Sequence, residues 1–183
     1  MTILTIQLKA LSRASLLHKK KVMVIDDWGP FDDGFEETSL TKGSEDEVKF
    51  WLAEELQKQN KVKILDLISL EELGRILFQE RQNVNTPASL VKLPKDFYFR
   101  VSALLRDLKT KKDLEALEQL KRALQLINEI ISIRTRKIIQ LAFLGISDQE
   151  IMDRLTAEEI LVYKNIRYTI EHSIGEIIGN TTK

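Results

Sequence analysis

The chain has 183 residues, 43% hydrophobic and 31% charged, with 28 basic and 28 acidic side chains and a formal net charge of zero. That length holds one medium domain or two small ones, and the charge balance argues against a protein that coats nucleic acid through clustered Lys and Arg. The absence of cysteine excludes disulfides, Cys-ligated zinc and thiol nucleophiles together.

No apolar run reaches the roughly 20 residues that span a bilayer. Met1 to Leu17 also lacks the apolar core of a signal peptide. The expected setting is intracellular and soluble, with no membrane contact.

Ile3, Ile6 and Leu8 make a short β-compatible run. Val22 to Ile25, introduced by Lys19-Lys20-Lys21, reads as a strand that ends in the turn-rich stretch Asp26-Asp27-Trp28-Gly29-Pro30-Phe31-Asp32-Asp33-Gly34. Ser44 and Glu47 have the spacing of a capping box, which predicts a helix from Glu47 to Gln59 with Val48, Trp51, Leu52 and Leu56 on one face. Val62 to Leu65 reads as a further strand. Residues 1–66 are thus a small β-rich domain with one amphipathic helix, joined near Asp66 to Ile68 to a helical domain over 69–183.

The helical domain predicts five helices. Ser69 and Glu72 cap the first, which runs to about Gln82, and the polar stretch from Asn83 to Leu93 is a loop. Pro94 opens the second, with Phe97, Val101, Leu104, Leu105 and Leu108 on its apolar face and Lys109 to Lys112 as the exit turn. The third covers Asp113 to Leu144 and stops at Gly145. Ser147 with Glu150 caps a short fourth helix. Thr156 with Glu159 caps the last, whose face holds Ile160, Tyr163, Ile166, Ile170, Ile174 and Ile177.

The third helix organises the rest. Leu117, Leu120, Leu124, Ile127, Ile131, Ile138 and Leu141 follow steps of three and four, with Leu126, Ile130 and Ile133 beside them, so the stripe is wider than a two-stranded coiled-coil seam. At about 1.5 Å per residue the helix is roughly 48 Å long, whereas a domain of about 115 residues is roughly 35 Å across. One end should overhang its own domain, and an apolar overhang asks for a partner. Arg134 interrupts the seam. An unpaired charge buried there costs several kcal/mol, so it meets a carboxylate, reaches solvent or lies at an interface, and the interface is preferred.

Catalytic constellations are missing from the sequence. His18 and His172 stand in different domains, in no Ser/His/Asp order and no H-E-x-x-H helix. The acidic loop Asp26, Asp27, Asp32, Asp33 lacks the alternating ligands and terminal Glu of a calcium loop, and reads as a solvated turn over Trp28 and Phe31. No Gly-rich phosphate cradle occurs. Expected, therefore, are no catalytic residues, no cofactor and no metal. Gly145 to Tyr168 has the outline of a helix-turn-helix, but its second helix starts Ala157-Glu158-Glu159, an acidic end that phosphate would repel.

The runs GPFDDG, KFWLAEELQKQNKVKIL, EELGRILFQERQ and LPKDFYFRVSALL resemble the GINS family, with Gly29-Pro30-Phe31, Trp51-Leu52-Ala53 and Leu93-Pro94 to Tyr98 as the most specific parts. The resemblance extends from about Val22 to Ile170 and is nearest the subunit type whose small β domain precedes the helical one, archaeal in type. The segment Phe35 to Gly43 is longer and more acidic than the family pattern. The resemblance implies a non-enzymatic scaffold subunit of a DNA replication complex. It would assemble with sister subunits into a tetramer, associate with the MCM helicase and a RecJ-like partner, and touch DNA weakly or indirectly. Phe97, Tyr98, Leu124 and Ile131 are the expected apolar anchors of the subunit interface, and Arg134, Arg136 and Lys137 its polar rim. The competing reading is a helix-turn-helix DNA-binding protein that dimerises through its long helix.

Overall fold

The computed structural model describes residues 3–65, 67–111 and 113–177, and the side chains of 174–177 lie outside that description. The chain divides into two compact units, one of Ala10–Leu67 and one of Ile68–Lys183 together with Met1–Lys9. It is mainly α-helical with a small N-terminal β region.

The first element corrects the sequence reading. Ile3, Ile6 and Leu8 belong to a helix, α1 (Ile3–Ala14), followed by a 3-10 turn at Ser15–Leu17. Leu4, Leu8 and Leu11 recur at helical spacing and are half-buried on one side, while Ile3 and Ile6 are exposed. Pattern over three turns outweighs the β-branched residues at the start.

In the β-rich unit, β1 (Lys19–Val24) is the central strand of an antiparallel sheet in the order β4-β1-β5, with β4 (Glu45–Lys49) and β5 (Val62–Ile64). Val22 and Val24 of β1, Val48 of β4, and Val62 and Ile64 of β5 face the core, where Phe50, Leu52, Ala53 and Leu56 of helix α2 (Phe50–Lys58) are buried. A separate hairpin pairs β2 (Trp28–Asp32) with β3 (Glu37–Leu40). Gly29, at φ +111°, allows the close crossing, since a Cβ there would lie 2.7 Å from the Thr38 carbonyl oxygen.

The helix expected from Glu47 starts three residues later, because Glu45 to Lys49 pair with β1, Glu47 opposite Lys21. Ser44 makes no cap: its hydroxyl donates to the Thr41 carbonyl. Sheet pairing has overridden a local capping signal.

The second unit holds α3 (Leu70–Gln82), α4 (Phe97–Thr110), α5 (Leu114–Leu144), α6 (Gln149–Met152) and α7 (Ala157–Ile177). Their boundaries follow the chemistry of orphan backbone groups. Ser69 Oγ accepts the Glu72 N–H at 3.1 Å, and Asp113 Oδ1 accepts the Ala116 N–H at 2.6 Å. Thr156 and Glu159 form a reciprocal box, Thr156 N–H to Glu159 Oε2 at 3.0 Å and Glu159 N–H to Thr156 Oγ1 at 3.3 Å. Gly145 closes α5 in the left-handed region at φ +70°.

Three boundaries move from expectation. The α6 cap is Asp148, not Ser147. Pro94 precedes α4 by a turn, accepting the Phe97 N–H on its carbonyl, and Asp96 is the N-cap. Finally, α4 continues through Thr110, so the exit turn is shorter than Lys109 to Lys112, with Lys112 itself outside the described residues.

Two apolar clusters share α5. One gathers Leu73, Ile76 and Leu77 of α3, Phe97, Val101 and Leu108 of α4, and Ala123, Ile127, Ile130 and Ile133 of α5. The other joins Leu90, Ile138, Leu141 and Ala142 to Leu155 and Tyr163. Between them, on α5, stand Arg134 and Lys137.

Candidate functional site

The long helix has two faces with different fates. Its buried face is Ala116, Ala123, Ile127, Ile130, Ile133, Arg134, Lys137, Ile138, Leu141 and Ala142. The seam read from the sequence is therefore split: Ile127, Ile138 and Leu141 point inward, whereas Leu117, Leu120, Leu124 and Ile131 lie along the outward edge. Leu117 is 61% and Leu124 38% exposed, while Leu120 and Ile131 are half-buried. Leu117, Leu124 and Ile131 recur every seven residues; the next residue in that register, Ile138, is buried, and Ile139 and Phe143 are exposed nearer Gly145. Leu117, Leu120, Lys121, Leu124 and Gln125 line an open groove of about 510 Å³ on this face.

Arg134 and Lys137 do not form a rim, which corrects the sequence reading. Both have no exposed surface. All five guanidinium N–H groups of Arg134 are used. Nε and Nη2 grip Glu159 of α7 at 2.6 and 2.7 Å, Nη1 donates to Glu80 Oε1 of α3 at 2.5 Å and the Val91 carbonyl at 2.8 Å, and Nη2 also donates to the Arg154 carbonyl at 3.2 Å. Lys137 Nζ donates to Glu80 Oε2 at 2.6 Å and the Ser89 carbonyl at 2.9 Å. Glu80 Oε1 takes the Val91 N–H as well, and Glu159 Oε1 takes the Tyr98 hydroxyl at 2.9 Å. Two cations meet two carboxylates with their donors and acceptors satisfied, which is the condition under which charge survives burial.

The electrostatics agree with that geometry. Burial works against the Arg134 charge, but hydrogen bonds to Glu159 and the charges of Glu159 and Glu80 outweigh it and raise its pKa. Tyr98 is pushed far up by burial and by the adjoining Glu159 carboxylate, so it remains a neutral donor. The cluster ties α3, the 83–93 loop, α5 and α7 together. Its four charged side chains are shut off from solvent.

The remaining sequence candidates separate in the same way. Phe97 is completely buried in the apolar core, so its ring is a packing residue and cannot be an interface anchor. Tyr98 is half-buried with its hydroxyl directed at Glu159, and Arg136 is exposed on α5. His172 stacks on Tyr168, ring centroids 3.6 Å apart, and His18 is exposed in the other unit. Among the described residues no group of three His, Cys, Asp or Glu side chains could hold a metal ion, and no helix is long and apolar enough to cross a membrane.

For the helix-turn-helix outline, the decisive residues are Thr156 and Glu159. They are buried at 0% and 3% exposure, so the first turn of α7 faces the bundle, not a DNA groove. The acidic turn carrying Asp26, Asp27, Asp32 and Asp33 folds as the hairpin, over a half-buried aromatic cluster of Trp28, Phe31 and Trp51 with centroid separations of 5.4 and 6.3 Å.

A comparison with family profiles matches residues 66–178 to the helical bundle domain of GINS complex proteins. That match covers all five helices of the second unit described here. No curated protein matches the chain.

Proposed function

Since the chain belongs to the GINS family of replication-complex scaffold proteins, we propose that it is the subunit type with the β-rich domain first, seated in a heterotetramer of archaeal type through the outer face of α5. The observation that supports this most is the outward edge of α5, where Leu117, Leu124 and Ile139 are exposed and Leu120 and Ile131 are half-buried against the core. The exposed Arg136 would belong to the polar margin of that interface. The complex would in turn associate with the MCM helicase and a RecJ-like partner. Its role is to hold these proteins in register on the replicating chromosome without catalysing a reaction, with DNA touched weakly or indirectly.

The test is co-expression with a second GINS-type subunit of the opposite domain order, followed by mass measurement of the purified assembly. A stable heteromer is expected. A double variant, Leu117→Glu with Leu124→Glu, should abolish co-purification and leave the thermal midpoint of the isolated chain nearly unchanged, because exposed substitutions shift stability by about 0.5 kcal/mol or less. A chain that stays monomeric at micromolar concentration beside its sister subunit would overturn the assignment.

A further inference from the structure

Charge along α5 is not balanced by its own chain. From Lys121 to Lys137 the helix carries five cations and one carboxylate, Glu129. Arg134 and Lys137 are used inside the bundle. Glu129 is gripped by Nε and Nη2 of Arg81, at 2.6 and 2.7 Å. Lys121, Arg122 and Arg136 are exposed, and among the described residues none of the three has an acidic partner. Glu118, a turn earlier, is the single carboxylate lining the apolar groove and answers one of them at most.

The same stretch is open on both sides. The apolar groove along Leu117, Leu120 and Leu124 shares Gln125 and Asn128 with a second, more polar groove of about 800 Å³. Arg81 of α3 and Arg122, Glu129 and Ser132 of α5 line that second groove. Here α5 is a ridge between two channels, with Lys121 at the edge of the first and Arg122 at the edge of the second. Leu117, Leu124 and Ile131 repeat by heptads until Ile138 turns inward, a face roughly 21 Å long at about 1.5 Å per residue. A heptad repeat beside a groove fits a helix, whereas the side chains of a strand alternate every two residues.

Charge then decides among occupants. A second copy of this chain would set the same three cations against themselves across a two-fold axis. A phosphate backbone would answer the cations but leave Leu117 and Leu124 in water. We propose that this face takes an amphipathic helix of a partner protein, its apolar stripe in the Leu117–Leu124 groove and carboxylates on its flank meeting Lys121 and Arg122. Arg136, two heptads beyond Arg122, extends the reach of the same acidic flank. This partner chemistry rests on the reading of α5 as a subunit interface, and adds that the partner is acidic beside its apolar stripe.

The test uses the full chain and a fluorescent synthetic helix of about three heptads, leucine on its stripe and glutamate on both flanks. Its counterpart carries lysine on the flanks, and the like charges keep each peptide from pairing with itself. In fluorescence anisotropy the glutamate helix should bind and weaken as salt rises. The lysine helix should bind at least about tenfold more weakly. Lys121→Glu with Arg122→Glu should reverse that preference with circular dichroism unchanged, and Lys164→Glu on α7 should leave it as it was. Equal binding of the two helices would overturn the proposal, as would an unmoved preference in the double variant or self-association of the chain through this face. Assembly with a sister subunit is read separately. A heteromer that forms while the helices bind equally keeps the subunit reading and removes this one, and a clear preference without any heteromer does the reverse.

Discussion

The two units use ion pairs under opposite conditions. In the helical unit Arg134, Lys137, Glu80 and Glu159 are sealed from water, each held by several hydrogen bonds. In the β-rich unit the pairs Lys19–Glu36 and Lys61–Asp26 stand in or near solvent, and Lys49–Asp33 is only partly buried. Coulomb attraction is common to both, but the cost of breaking it is not. A buried charge that loses its partner has no water to fall back on, whereas an exposed one is rehydrated and screened. The buried cluster therefore dictates which helices may sit together. The exposed pairs shape a hairpin while leaving its charge available.

The sharpest way to break the comparison is Arg134→Met, which leaves Glu80 and Glu159 facing each other without their shared cation. Loss of about 4 kcal/mol is expected in denaturant unfolding, within the range for a divided buried pair. A loss under about 1 kcal/mol, the scale of an exposed pair, would show that water reaches the cluster. Tyr98→Phe comes next. It removes one donor to Glu159 and keeps the ring, so about 1 kcal/mol is expected. That substitution also tests whether the hydroxyl serves only the fold, in which case assembly with a sister subunit is unaffected.

The smallest effect belongs to Lys49→Met. The hydrogen bond from Lys49 holds the Asp33 carboxyl below its ordinary value, against the opposing pull of desolvation. Such a group stabilises the fold above the ordinary carboxylate range, and that contribution is lost as pH falls through the lowered folded pKa. With the cation removed, Asp33 should titrate closer to its ordinary value and the hairpin should loosen at higher pH. Carboxyl chemical shifts followed through an acid titration report this directly. An unmoved Asp33 would mean that the backbone N–H groups of Phe35 and Glu36 set its pKa.

Much of the helical unit could be read from the sequence because its signals are local. Ser69, Thr156 and Gly145 solve backbone problems within one turn, and the extent of α5 follows from a run without Gly or Pro. What could not be read depended on distant pairing. Nothing near Ser44 reveals that Glu47 will lie opposite Lys21 in a sheet. Arg134 could be recognised as a charge that required an answer, but its carboxylates lie 54 and 25 residues away, and the interface chosen instead was the wrong answer of those available. The outer stripe was legible as apolar residues in heptad register. Its separation from the buried face depended on small residues, Ala116 and Ala123, which turn inward where leucines were expected.

The sequence distances across the ionic layer also bear on kinetics. Lys137 meets Glu80 across 57 residues, and Arg134 meets both Glu80 and Glu159. Closing such separations is entropically expensive, so these contacts should be absent from the early nucleus, where local helix pairs dominate. Substitutions in the layer should consequently leave refolding rates nearly unchanged and accelerate unfolding. The charges between the two apolar clusters would then act as a latch, setting how long the assembled bundle lasts rather than how quickly it forms.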